Sequence, residues 1–156
     1  MQPAHETPFE LGTDGPTSIL VGADGSVTSA RAGWYAAGLA RRQHAKVTIV
    51  YVTPATSLAT LFGPATGNAE AARRESFEQV AEDMRRRAAE FSQDLGVEIN
   101  FVHAWGDPFA ELRRIAEEIR ADAVVVGASA HAGHRLVGSL AVRLVKAARW
   151  PVTVVP

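Results

Sequence analysis

Short β-branched runs alternate with longer stretches of helical periodicity along this chain, and that alternation limits the folds open to it more than any other feature. Ser18-Ile19-Leu20-Val21-Gly22-Ala23, Lys46 to Val52, Asp122 to Val126 and Pro151 to Val155 are nearly continuous apolar runs, the pattern of strands covered on both faces. A further run sets Val97, Ile99, Phe101, His103 and Trp105 against Glu98, Asn100 and Val102, which is the period of an edge strand with a wetter face. Helices separate these strands. The first is capped by Asp24 or Ser26, runs to about Gln43, and carries a small-residue face of Ala30, Gly33, Ala37 and Ala40, with Trp34 beside it. The second, Ala69 to Leu95, bears the stripe Phe77, Val80, Ala81, Met84, Ala88, Phe91 and Leu95 and stops at Gly96. A third opens at Gly106-Asp107-Pro108, with Asp107 as cap and Pro108 at the first helical position, and turns Phe109, Leu112, Ile115, Ala116 and Ile119 inward. A fourth lies between Ser139 and Pro151.

Strand and helix alternating four times before a final strand predict an α/β fold, a five-stranded parallel sheet with helices on both faces. Ligands of such sheets bind beyond the carboxyl ends of the strands, where the winding direction switches. Asp24, Val52, Gly106 and Gly127 all fall at strand ends.

The chain of 156 residues is expected to divide into a flexible arm, 1–17, rich in Pro, Gly and Thr, and one domain, 18–156. A formal charge of -1 with scattered charges leaves no footprint for nucleic acid or an anionic membrane, so neither is expected as a partner. No apolar run approaches the roughly 20 residues that cross a bilayer, and no basic-then-apolar leader opens the chain, so the expected location is the cytoplasm. The absence of cysteine removes disulfides, thiol catalysis and thiolate zinc sites together. The connection from Thr53 to Asn68, with two prolines and two glycines, is long enough to serve as a lid.

The strand ending Val21-Gly22-Ala23-Asp24-Gly25-Ser26, the Gly106-Asp107-Pro108 corner, and Gly127 to Gly138-Ser139 followed by Trp150-Pro151-Val152-Thr153-Val154-Val155 resemble the universal stress protein family from Ser18 to Pro156. The resemblance implies a Rossmann-like sheet in the order 3-2-1-4-5 and a homodimer joined through the last strand, at Val152, Val154 and Val155. In the family's ATP-binding subclass the loop reads Gly, two residues, Gly, nine residues, Gly, then Ser or Thr, and the aspartate after the first strand helps hold ribose. Here Gly127, Gly138 and Ser139 stand at plausible positions, Ala130 replaces the second glycine, and the interval to Gly138 is two residues shorter than that pattern. Each residue spans up to about 3.3 to 3.6 Å, so the shortening moves backbone donors farther than phosphate contacts tolerate. The spacing resembles the subclass that does not bind ATP.

Candidate nucleotide-binding residues are therefore Asp24, Val52, Gly127, Gly138 and Ser139, with ATP or AMP and Mg²⁺ as the ligands to consider. Asp24 reads as a helix cap or as a ribose ligand. Ser139 reads as a helix cap ahead of a phosphate ligand or phosphorylation site, and Val52 as core ahead of an adenine wall. Gly127 permits close phosphate approach or supplies a turn with positive φ. His131 and His134 lack a third ligand nearby in sequence, so no metal site is expected. Arg85-Arg86-Arg87 is surrounded by Glu78, Glu82, Asp83 and Glu90 at helical spacing and reads as a solvated ion-pair face. No catalytic motif is present. The leading expectation is a dimeric stress-response module that acts through protein partners not yet known, with ATP binding weakened or lost. An adenine-nucleotide sensor stands as the alternative, and a weak ATPase, for which Asp24 is the one available carboxylate, stands third.

Overall fold

The computed structural model describes residues 15–54, 67–128 and 139–156. The elements follow in the order β1 (Ser18–Ala23), α1 (Val27–Gln43), β2 (Lys46–Thr53), α2 (Gly67–Leu95), β3 (Ile99–Trp105), α3 (Pro108–Glu118), β4 (Ala123–Gly127), α4 (Ser139–Ala147) and β5 (Val152–Val155). The five strands form one sheet in the order β3-β2-β1-β4-β5, every pair parallel. This is the Rossmann-like α/β sheet that the alternation and the resemblance led one to expect. The winding reverses at β1, which pairs with β2 on one side and β4 on the other, with Val21 opposite both Ile49 and Val125.

The sheet divides the core in two. On one face Leu20, Val50, Val124 and Val126 pack with Leu112, Ile115 and Ala116 of α3 and with Ala141 and Leu144 of α4. On the other face Ile19, Val21, Val47 and Val125 pack with Ala32, Ala36 and Ala40 of α1, and Leu95 of α2 joins them. Val124, Val125 and Val126 are all buried because successive side chains serve opposite faces.

The helix starts follow the local chemistry. Ser26 caps α1 by accepting the Ser29 amide at 3.1 Å, and Gly25 makes the turn from β1 at φ +83°, a backbone state glycine adopts without strain. Asp107 caps α3 by accepting the Ala110 amide at 2.9 Å, with Pro108 just inside. The same carboxylate takes both prongs of Arg143 at 3.1 Å, while that guanidinium lies over Phe109 at 4.4 Å, so the corner joins α3 to α4. At the other end of the sheet Asp122 accepts from the Thr17 amide and hydroxyl, each at 2.8 Å, and from the Ser18 amide at 3.0 Å.

One helical face differs from expectation. The side of α1 that meets the sheet is Ser29, Ala32, Ala36 and Ala40, with Ala37 at its border; Ala30 is exposed and Gly33 is half-buried. The helix is rotated about its axis because its alanines and glycines lie on several faces and no bulky residue marks the inner one. The rotation predicts that Ala36→Leu, at a fully buried site, lowers stability by about 1–3 kcal/mol in chemical denaturation through overpacking. Ala30→Leu should stay within about 0.5 kcal/mol of the parent.

Candidate functional site

At the carboxyl ends of β1, β2 and β4 the described residues enclose a cavity of about 190 Å³. Asp24, Val52 and Gly127 line it together, joined by Ser26 and Ser29 from the start of α1 and by Leu140 from α4. Three of the five sequence candidates thus converge at the switch point. Ser139 is exposed and opens α4, beside the lining residue Leu140. Gly138 lies outside the described residues, as do Ala130, His131, His134, most of the 53–68 connection and residues 1–14 of the arm.

Asp24 is not the helix cap; Ser26 is. Its carboxylate closes a local turn, Oδ1 accepting the Ser26 amide at 2.9 Å, while the Asp24 amide donates to Ser29 Oγ at 3.4 Å. Burial against the cavity raises the carboxyl's pKa, but the hydrogen bonds from Ser26 and Ser29 outweigh it and hold Asp24 below the ordinary range. Asp24 is therefore ionised at neutral pH, an acceptor-only group at the cavity rim.

Gly127 owes its identity to packing. A Cβ there would lie 2.5 Å from the Thr28 carbonyl carbon and 2.6 Å from the Ser29 amide nitrogen, so the end of β4 touches the backbone of α1's first turn. Its φ lies outside the positive region, which removes the turn explanation. Thr28 Oγ1 donates to the Ala128 carbonyl at 2.7 Å and locks the contact. Ser26 was one of the two expected caps, but sequence reasoning missed its neighbours: Ser29 Oγ accepts the Asp24 amide, and Thr28 tethers the loop that follows β4. Four residues with three hydroxyls, one glycine beyond the strand-end aspartate, were the available signal.

Val52 is half-buried and packs against the α3–α4 side of the core as well as lining the cavity. Among the described residues no group of three or more His, Asp or Glu is placed to hold a metal ion, and no helix is long and apolar enough to cross a membrane.

A model of the universal stress protein family matches residues 16–156. The chain belongs to this family. It is 30% identical over 139 residues to universal stress protein MJ0531 of Methanocaldococcus jannaschii, a match that covers 88% of this chain and 80% of the relative. A solved universal stress family protein from Burkholderia pseudomallei is 30% identical with a TM-score of 0.66, covering 90% of this universal stress protein and 96% of that one. Another, solved as a universal stress protein in complex with cAMP, is 25% identical with a TM-score of 0.63 and coverages of 90% and 97%.

At the sheet edge, apart from the cavity, His103 is a half-buried strand residue, as its alternating position suggested. Its Nε2 lies 2.9 Å from Thr53 Oγ1, and its ring stacks on Tyr51 at 5.3 Å between centroids. Desolvation lowers its pKa, and Arg85 adds to this, against the opposing pull of Glu78 at 3.7 Å. A histidine whose folded pKa lies below 6.5 binds its proton more readily unfolded, so its contribution is complete above pH 6.5 and is lost as pH falls through the folded value. Urea titrations across that window should show the parent losing stability relative to His103→Phe as pH drops; parallel pH profiles would contradict the assignment. Gly127→Ala should cost roughly 1–3 kcal/mol in the same titrations without any nucleotide present, because the new Cβ meets backbone.

Proposed function

We propose that this universal stress protein binds an adenine nucleotide by its adenosine half in the switch-point cavity, with a weak hold on the phosphates, and acts as a homodimer through protein contacts in a stress response. The observation that carries the reading is the convergence of ionised Asp24, apolar Val52 and Gly127 on one cavity. An acceptor-only carboxylate suits the paired hydroxyls of ribose, and Val52 and Leu140 offer an apolar wall to a base. The cavity of about 190 Å³ is smaller than the roughly 300–1,000 Å³ of sites that enclose a whole drug-sized ligand. The relative in complex with cAMP carries a single phosphate, which fits recognition led by the nucleoside. In this reading Mg²⁺ accompanies ATP and plays no part with AMP. No hydrolysis is assigned, because Asp24 is the one carboxylate that the described residues place at the cavity and it is engaged by Ser26 and Ser29.

The dimer reading rests on β5, which among the described residues pairs with β4 alone and stands at the edge of the sheet, with Val152, Val154 and Val155 each half-buried. Val142 and Val145 on the adjoining α4 are exposed and extend the apolar surface. In sedimentation, Val154→Lys should shift a dimer toward monomer while the far-ultraviolet spectrum stays that of the parent; an unchanged dimer places the interface elsewhere.

Calorimetric titration of nucleotide-stripped protein tests the nucleotide reading. AMP and ATP should bind within about tenfold of each other, and Asp24→Ala should weaken both by roughly tenfold or more through loss of a charge-assisted hydrogen bond. Silence for both ligands leaves the dimeric interaction module without a nucleotide. ATP binding far tighter than AMP would mean that the short loop forms a full phosphate cradle.

A further inference from the structure

On the opposite face of the sheet from the nucleotide cavity, α1 and α2 leave a second cavity of about 280 Å³ between them. This volume is close to the lower end of small-molecule sites, about 300 Å³. Val21 and Ile49 form its floor, Gly33 faces it from α1, and Met84 and Phe91 face it from α2. Trp34, 52% exposed, leans on Phe91 at 4.4 Å between ring centroids and stands at the mouth.

Two features point to an occupant. Gly33 lies in the middle of a 17-residue helix, where glycine weakens the helix relative to alanine, yet a Cβ built on it would meet nothing within 4 Å. Close packing does not require a glycine there; its effect is to leave space. The second feature is charge. In the run Arg85-Arg86-Arg87, Arg85 pairs with Glu82 and Arg86 with Asp83, and both lie on the solvent side. Arg87 lines the cavity and, among the described residues, has no ion pair. The expected solvated ion-pair face therefore accounts for two of the three arginines. Ser26 and Ser29, at the start of α1, also reach the cavity at its upper rim.

We propose that this cavity is a second binding site, for a small amphipathic carboxylate whose apolar body lies over Val21 and Ile49 between Gly33 and Phe91 and whose carboxylate meets Arg87. A fork of guanidinium donors matches a carboxylate, and Met84 adapts to irregular apolar shapes. The site shares Ala23, Ser26 and Ser29 with the nucleotide cavity but none of Asp24, Val52 or Gly127, and it stands whether or not nucleotide binds.

The test is titration of the full chain with millimolar octanoate, and with octanol as the uncharged analogue, followed by backbone amide NMR shifts and tryptophan fluorescence. Octanoate should bind saturably, with shifts centred on Gly33, Ala88 and Phe91. Gly33→Leu should abolish binding while keeping the parent's melting behaviour. Arg87→Gln, at an exposed position on the cavity rim, should weaken octanoate by about three- to tenfold and leave octanol unchanged. No saturable shift with octanoate, shifts centred on another surface, or equal weakening of acid and alcohol by Arg87→Gln would each overturn the proposal.

Discussion

The contact between Gly127 and the first turn of α1 is the constraint on which the rest of the functional end depends. It brings the Thr28 carbonyl carbon within 2.5 Å of where a Cβ on Gly127 would stand, so only glycine lets the strand and helix meet. That contact, with the Thr28 to Ala128 hydrogen bond, sets where the chain leaves β4 and where the Ser26 and Ser29 hydroxyls stand. Asp24 is then held by the Ser26 amide on its carboxylate and by Ser29 Oγ on its own amide, with its charge retained. A single close approach thus shapes the switch-point cavity and the surroundings of Asp24 at its rim.

The two faces of the sheet are built differently. On the α3–α4 side, large aliphatic residues such as Leu112, Ile115 and Leu144 fill the space and the Asp107–Arg143 pair joins the helices. On the α1–α2 side α1 contributes alanines, which lets it sit near the strands but leaves α2 to cover the remainder with Met84, Phe91 and Leu95. Small residues on one wall and bulky ones on the other leave the second cavity between them.

Features encoded by neighbours in sequence were legible before the structure. The β-branched runs gave the strands, and the corner Gly106-Asp107-Pro108 gave the start of α3, because cap chemistry acts over three residues. That Asp24 and Val52 would line one cavity was legible because strand ends in such sheets share one edge. The inner face of α1 was not, since a helix whose small residues include Ala30, Ala32, Gly33, Ala36, Ala37 and Ala40 carries little contrast between its sides. The packing role of Gly127 was hidden for a different reason. It depends on Thr28 and Ser29, about a hundred positions away, and no local pattern marks that pairing.

The most direct test of the central claim is a crystal structure of the protein soaked with AMP. Adenosine seated at the carboxyl ends of β1 and β4, with a ribose hydroxyl donating to Asp24 and the base against Val52, is the predicted result. Ordered AMP on any other surface, or a cavity left empty at saturating AMP, would contradict it.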